Sequence, residues 1–405
     1  MNILFVADVS IGKVIGGAER VLFEQSTRLA QRGHNVHILT RGLGGHKTDK
    51  ELIRGVWEWR YDVDQRNSLS FIRSTCLNGK RLFELLHSEY GFDCINIHQP
   101  FSGLGVIRSP LGKGIKKVYT CHSLSFEEFK TRTPKPERLI GRSVYFLNSR
   151  GRKYVEKKVM NNCDWVMVLS EFTMNRLYRL YRISEEKKIE IIPGGVDLEK
   201  FYPAHDKVKI RKGLDLPGEK TILLTVRNLV PRMGLENLII AIREVVKVAS
   251  DIYLVLGGDG PLKKDLIDLT RQLGVEDFIR FEGFIPEEEL PAYYRMADLF
   301  VLPTVELEGF GLVTLEALAS GVPVLGTPIG GTVEILKKLN PKLLFKDIDA
   351  ESIAELILDT HREFQKNPVS QGRLSVQCRR FVEQNYSWEK NIDNLENLFR
   401  EVSES

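Results

Sequence analysis

The chain is 405 residues long, with 42% hydrophobic and 28% charged residues. That length exceeds what one hydrophobic core ordinarily serves, so two α/β domains are expected, and the balance excludes a fibrous or largely disordered chain. The net charge of +4 conceals one local excess, because residues 108–158 carry fourteen Lys/Arg against four Glu and no Asp, a balance of +10. No stretch approaches the roughly 20 apolar residues that a membrane span requires. The first residues enter an apolar run (Ile3 to Val6) with no basic lead-in or small-residue cleavage site, which predicts a chain without a signal peptide. Cys76, Cys94, Cys121, Cys163 and Cys378 form an odd, widely spaced set with no C-x-x-C pair. They predict buried thiols in a reducing cytoplasm rather than a disulfide framework or a zinc site.

In chain order, short apolar runs alternate with helical patterns: strand 2–9, helix 18–32, strand 35–40, helix 70–90 and strand 94–98. This is the βαβ rhythm of a parallel sheet. In the first helix Val21, Leu22, Gln25 and Leu29 fall near a 3.6 period, and Gly33 is placed to end it. Strands follow at 117–121 and 164–169, and Ile-Ile-Pro-Gly-Gly-Val-Asp (191–197) reads as the exit from a first domain. The rhythm restarts with strand 221–227, helix 235–249, strand 252–256, helix 261–273, strand 279–281, strand 299–302 and helix 312–320. A last amphipathic helix carries Ile392, Leu395, Leu398, Phe399 and Val402. The expected organisation is an N-terminal Rossmann-like domain at 1–192, a second at 193–385, and a helix at 386–405 that packs back toward the first.

Three glycine-bearing turns follow predicted strands: Gly16-Gly17, Gly257-Gly258-Asp259-Gly260 and Gly309-Phe310-Gly311. In open α/β sheets ligands sit at the carboxyl ends of strands, where glycine lets backbone approach a phosphate and a following helix offers unpaired N–H groups. Each turn alone is a weak signal, since none matches G-x-G-x-x-G. The segment from Glu306 to Leu336 says more. Between Glu308 and Lys337 its only charged residues are Glu316 and Glu334. Glu316 lies among Leu312, Leu315 and Leu318 on a predicted helix, so it is expected to be part-buried. A carboxylate there is costly unless it accepts hydrogen bonds, which sugar hydroxyls can donate, although local backbone or a distant Lys would also serve. Glu334 reads equally well as an acidic residue at a helix entry.

Glu308-x7-Glu316, set in EGFGLVTLEALASGVPV, resembles the signature of retaining glycosyltransferases of the GT-B fold, in the large family four (group 1) that includes sucrose-phosphate synthases and mannosyltransferases. GGAE at 16–19, His122, SEF at 170–172, PGGVD at 193–197, LVPRMG at 229–234, GGDGPL at 257–262, FEGFIP at 281–286 and GTPIGGTVE at 326–334 extend the similarity over nearly the whole chain. The resemblance implies two Rossmann-like, doubly wound parallel-sheet domains facing an interdomain cleft, and transfer of a sugar from a nucleotide-sugar donor without a metal or other cofactor. It implies that Glu316 binds the ribose hydroxyls, that Glu308 binds the donor sugar, and that His122 touches the transferred sugar. The amides of Gly309, Phe310, Gly311 and Leu312 would face the diphosphate, with Gly16 and Gly17 approaching from the other domain. Asn228, Gly258, Phe284 and Ile285 complete the implied donor-binding set.

One departure stands out. The Arg and Lys of the family's G-R-x-x-x-x-K-G fall here on Asn228 and Met233, with Arg227 and Arg232 one place before each. A departing diphosphate without a metal needs cations, so these two arginines are expected to substitute. A catalytically silent protein on the same fold is the alternative. An epimerase or a phosphorylase is a nearer rival, but no lysine signature for pyridoxal phosphate stands out. Asp62-x-Asp64 is similar to the D-x-D of metal-dependent transferases, but it follows the strand-like VWEWRY and reads as a solvated turn. His34 and His37 lack a third ligand, so no metal is assigned. The basic block interleaves Phe126, Phe129, Leu139, Ile140, Val144, Phe146 and Leu147 with Arg and Lys. That mixture suits an anionic membrane surface and a lipid-linked acceptor, with a soluble sugar acceptor next and nucleic acid excluded for want of a motif.

Overall fold

The computed structural model describes residues 1–12, 16–43, 49–133, 135–184 and 186–404. The chain divides into two units, Met1–Gly194 together with Trp388–Ser405, and Gly195–Ser387. The first unit is built on eight strands: β1 (Asn2–Val6), β2 (Asn35–Arg41), β3 (Lys50–Ile53), β4 (Val56–Tyr61), β5 (Cys94–Ile97), β6 (Lys116–Cys121), β7 (Trp165–Val168) and β8 (Lys188–Ile191). They lie in the order β3-β4-β2-β1-β5-β6-β7-β8, parallel except for the antiparallel edge pair of β3 and β4. The central strands are apolar on both faces because helices cover both, as a parallel sheet requires. Strand β3 escapes the sequence pattern because Lys-Glu-Leu-Ile is largely exposed at an edge. It exists because Arg54 and Gly55, at φ 49° and 86°, make a two-residue turn of the type that matches hairpin twist.

In the second unit β9 (Thr221–Val226), β10 (Ile252–Gly257), β11 (Ile279–Gly283), β12 (Leu299–Leu302) and β13 (Val324–Gly326) form a wholly parallel sheet in the order β11-β10-β9-β12-β13. In each sheet the winding reverses once, between β1 and β5 in the first and between β9 and β12 in the second. The loops leaving such a pair of strands turn to opposite faces, which opens a crevice at the carboxyl ends. The candidate residues follow strands at these two points or strands beyond them.

The helix Trp388–Glu404 belongs to the first unit although it follows the second in sequence. It buries Trp388, Ile392, Leu395, Leu398, Phe399 and Val402, and the Phe399 ring meets Phe5 of β1 edge to face at 6.4 Å. Its outer side pairs Glu389 with Arg28 at 2.6 Å and Asp393 and Glu396 with Arg32 at 2.7 and 2.6 Å. Burial dominates, since each apolar side chain contributes roughly 1.5–3 kcal/mol and each exposed pair under about 1 kcal/mol. All five cysteines are buried free thiols.

One carboxylate is held wholly inside the first unit. Glu156, on the helix Leu139–Asn161, is fully buried and accepts hydrogen bonds from Tyr119 Oη at 2.8 Å, from Tyr181 Oη and from the Ser125 amide at 3.0 Å. Burial outweighs these donors and pushes its pKa up to about 7. The folded chain therefore holds a proton that the unfolded chain releases near pH 4.5, so stability falls as pH rises from 4.5 through 7 and levels off above. Urea midpoints measured between pH 5 and 8 are expected to drop in the wild type relative to Glu156→Gln, by about 3 kcal/mol across the window. Parallel pH curves for the two proteins would show that Glu156 does not titrate there.

Candidate functional site

Four loops of the second unit converge at the reversal between β9 and β12, and glycines set how closely they approach. A Cβ on Gly258, at φ 125°, would stand 1.8 Å from the Arg227 carbonyl oxygen, and one on Gly234, at φ 66°, 2.0 Å from that of Pro303. On the other side a Cβ on Gly330 would reach the Glu308 carbonyl oxygen at 2.3 Å, and one on Gly331 that of Gly309 at 2.5 Å. The loop 227–234, the turn 257–260, the loop 303–311 and the turn 329–331 are thus pressed backbone to backbone. Hydrogen bonds fasten the contacts: the Val305 amide donates to the Arg232 carbonyl at 3.0 Å, and the Gly331 amide to that of Glu308 at 2.8 Å.

This convergence buries an ion pair. Glu308 is 8% exposed, and its Oε2 accepts from Arg227 Nη2 and from Thr304 Oγ1 at 3.4 Å. The Arg227 guanidinium also donates to Thr304 Oγ1 at 3.3 Å, and its Nε and Nη2 rest on the Met233 sulfur at 3.2 and 2.9 Å. Arg227 therefore puts its charge beside Met233, the position where the resemblance led one to look for a lysine. Arg232 has a different place: its Nη1 donates to the Leu307 carbonyl at 3.0 Å, bracing a residue held at φ 53°. Asn228 is exposed.

The helix Leu312–Ala319 starts at this point, with Gly311 at φ 96° leading into it. A Cβ on Gly311 would strike Thr332 Oγ1 at 2.2 Å, so only glycine fits. The first-turn amides of such a helix lack intrahelical acceptors and carry partial positive charge. Phe310 is buried, its ring 6.1 Å from that of Tyr386, so it offers backbone rather than side chain. Glu316 is 8% exposed, and Tyr294 Oη donates to its Oε2 at 2.7 Å. Tyr294 is a partner that no sequence pattern pointed to, since it belongs to a separate short helix, Leu290–Met296, and is itself packed on Phe201 and Phe300. Ile285 is buried, its Cδ1 2.5 Å from where a Gly257 Cβ would be, whereas Phe284 is 67% exposed. Glu334 lies in the first turn of the helix Thr332–Leu339.

In the first unit His122 follows β6 and His98 follows β5, and His122 Nε2 lies 2.9 Å from His98 Nδ1. The Asp8 amide, after β1, donates to Gln99 Oε1 at 2.9 Å, and the Asp8 carboxylate accepts from Ser102 Oγ. Burial pushes the Asp8 carboxyl above its ordinary value. Gly16 precedes the helix Gly17–Gln31 in extended conformation, while 13–15, between it and β1, lie outside the described residues. Asp64 is held by Arg66 at 2.6 Å, which keeps its carboxyl low, at about 2. His34 pairs with Glu396 at 2.7 Å, and His37 accepts from Trp59 Nε1 at 3.1 Å. Both are structural contacts.

The basic block forms two helices, Ser125–Arg132 and Leu139–Asn161. Its apolar residues divide. Phe126 is buried in the core, a correction to its place among surface residues, because the Ser125–Arg132 helix turns it toward the Tyr181 ring at 5.9 Å. Phe129 stacks near Tyr145 and Arg152. Leu139, Val144, Phe146, Leu147 and Tyr154 are more than half exposed, and four of them, spaced 7, 1 and 7 apart, share one face of the helix. Arg150 lies over the Phe146 ring at 4.4 Å. Among the described residues no helix is long and apolar enough to cross a membrane.

Two parallel-sheet Rossmann-like units in one chain are of the GT-B class, and solved structures bear out the fold. Sucrose-phosphate synthase from Thermosynechococcus elongatus matches with a TM-score of 0.82 at 24% identity, over 99% of this chain and 98% of that one. An Anabaena protein, HepE, in complex with UDP-glucose matches with a TM-score of 0.77 at 18% identity, over 99% of this chain and 100% of its own. The family model for Glycosyltransferase Family 4 matches residues 15–200 and that for Glycosyl transferases group 1 matches residues 206–370. The chain belongs to this glycosyltransferase family. Among curated relatives, a GDP-mannose-dependent alpha-(1-6)-phosphatidylinositol monomannoside mannosyltransferase of Mycobacterium tuberculosis is 30% identical over 56% of this chain, and the match spans 60% of that relative's length. N-acetyl-alpha-D-glucosaminyl L-malate synthase of Bacillus anthracis is 24% identical over 96% of this chain and 94% of its own.

The close approach at Gly258 generates a test of the assembled site. Gly258→Ala is expected to lower the urea midpoint, since a strained φ alone costs about 1–3 kcal/mol and the methyl must also displace the Arg227 backbone. A variant as stable as the wild type would mean that the two loops separate freely.

Proposed function

We propose that the protein is a metal-independent, retaining glycosyltransferase that moves a sugar from a nucleoside-diphosphate sugar to an acceptor hydroxyl. The observation that carries this reading is the buried Arg227–Glu308 pair beside the start of the helix that bears Glu316. Family membership supports it, as does the mycobacterial relative named as a mannosyltransferase. In this reading the Glu316 carboxylate accepts hydrogen bonds from the ribose hydroxyls, with Tyr294 holding it in place. Glu308 orients the donor sugar. The diphosphate lies against the amides of 309–312 and takes its cationic partner from Arg227, which stands in for a lysine displaced by Met233. As the bond from the anomeric carbon to the diphosphate oxygen breaks, negative charge grows on that oxygen, and donors already in place stabilise it without a metal. The departing phosphate accepts the acceptor's proton, and the acceptor hydroxyl attacks from the same face, which preserves the anomeric configuration. Arg232 acts through Leu307, as a brace for the loop.

Four measurements test the donor site together. Activity should survive EDTA, and a loss restored by Mg²⁺ or Mn²⁺ would remove the metal-independent reading. Glu316→Ala should weaken donor binding by roughly 1–3 kcal/mol per hydroxyl left unpaired. Glu308→Gln should bind donor and lose turnover. Arg227→Lys, which keeps the buried charge and so the fold, should lose more than about tenfold in rate, or 1.4 kcal/mol, while Arg232→Lys loses less. Full rates in the Glu308 and Arg227 variants would make both residues structural, whereas donor binding with neither transfer nor donor hydrolysis in the wild type would favour a sugar-nucleotide-binding protein without catalysis.

The acceptor in this reading is lipid-linked and met at the cytoplasmic face of an anionic membrane, to which the chain binds peripherally. The exposed stripe of Leu139, Phe146, Leu147 and Tyr154 among arginines and lysines supports this, as does the phosphatidylinositol-linked acceptor in the name of the mycobacterial relative. The protein should co-sediment with vesicles containing phosphatidylserine and be released by salt, because such attraction decays over about 8 Å at physiological ionic strength. Phe146→Glu with Leu147→Glu should abolish vesicle binding and leave donor affinity unchanged. Equal sedimentation on neutral and anionic vesicles, or none on either, would leave a soluble acceptor as the better reading.

A further inference from the structure

His98 and His122 stand at the carboxyl ends of neighbouring parallel strands, β5 and β6, one step beyond a polar contact in which Thr120 Oγ1 donates to Asn96 Oδ1 at 2.7 Å. The two rings share one hydrogen bond, His122 Nε2 to His98 Nδ1 at 2.9 Å, with centroids 4.9 Å apart. His98 is 2% exposed, and the outer nitrogens of the pair, His98 Nε2 and His122 Nδ1, are both buried without a hydrogen-bond partner among the described residues. Burial lowers the pKa of both rings, that of His122 to about 4, so both are neutral at pH 7.

A neutral imidazole has one N–H, and this fixes how two of them can share a bond. If His122 Nε2–H donates, His98 Nδ1 is bare and the His98 proton sits on Nε2. If His98 Nδ1–H donates, His122 Nε2 is bare and the His122 proton sits on Nδ1. In either case the rings carry the same tautomer, and the two outer nitrogens present one donor and one acceptor. Neither ring can change tautomer alone without setting two protons, or two lone pairs, against each other at 2.9 Å.

We propose that His98 is a positioning residue that fixes the tautomer of His122, and so decides whether the His122 ring offers a proton or a lone pair to a sugar hydroxyl. The functional part of this rests on the reading of His122 as a residue that touches the transferred sugar; the coupling of the two rings does not. The carboxyl end of β6 delivers His122, and the buried ring behind it supplies what a rotating solvent molecule would not, a partner of fixed polarity.

Two-bond nitrogen–proton spectra of the full chain labelled with ¹⁵N-histidine test the coupling directly. The wild type should show one tautomer at His122 and the same tautomer at His98. Opposite tautomers, or a His122 ring that averages over both, would overturn the proposal. In His98→Leu, with the amide spectrum checked for an intact fold, the His122 pattern should change to a mixture, and an unchanged pattern would also overturn it. Should His98→Leu not fold, the wild-type spectrum alone decides. In the transfer assay the same variant should lose roughly tenfold or more in kcat with the donor KM within about twofold. A chain whose tautomers match but which transfers no sugar keeps the coupling and loses the function proposed above.

Discussion

A carboxylate taken out of water must be paired, and at Glu308 the pairing organises the second unit's site. Breaking a buried pair by removing one member costs about 3–5 kcal/mol, far more than the pair contributes against apolar replacements. Arg227 comes from the loop after β9 and Glu308 from the loop after β12, so the pair ties together the two strands between which the winding reverses. It can form only because the loops touch at backbone distance. Gly234, Gly258, Gly330 and Gly331 permit that contact, each at a point where a methyl group would overlap a carbonyl oxygen. The ion pair and the glycines are one arrangement seen from its charge and from its volume.

The same organisation explains a substitution that the motif alone leaves puzzling. Met233 stands where the resembled motif carries a lysine, and its sulfur provides a soft, polarisable surface on which the Arg227 guanidinium lies. The positive charge beside Glu308 comes from a residue six positions before Met233 along the chain. Arginine is suited to the change because its planar fork can serve Glu308, Thr304 and the sulfur together.

The first unit solves a different problem at its own reversal point. Its strands end in groups whose charged forms burial disfavours, including His98, His122 and the raised Asp8 carboxyl, and Glu156 further inside is raised for the same reason. The second unit gathers a paired charge, whereas the first gathers desolvated groups that can donate or accept a proton. The helix Trp388–Glu404 packs apolar side chains into the first unit, with Phe399 against Phe5 of β1, so its residues complete the core that the first strand starts.

The alternation of apolar runs with 3.6-period segments determined the two parallel sheets, because strands covered on both faces must be apolar throughout and the covering helices must be amphipathic. It also placed the glycine turns at strand ends, and Glu308 and Glu316 were legible because an isolated acidic residue in a long uncharged stretch is conspicuous. The exposed edge strand Lys50–Ile53 and the Tyr294 hydroxyl were not legible, as neither follows a periodic pattern. Nor could the sequence divide Phe126, which is core, from Phe146, which is surface, because both stand among the same arginines and lysines. The choice of Arg227 rather than Arg232 as the partner of Glu308, and the meeting of His98 with His122, were decided by tertiary structure alone. The meeting of the histidines depends on which strands lie side by side, an order set by the packing of the whole sheet, and the choice between the arginines depends on how the loop 227–234 folds against the loop 303–311.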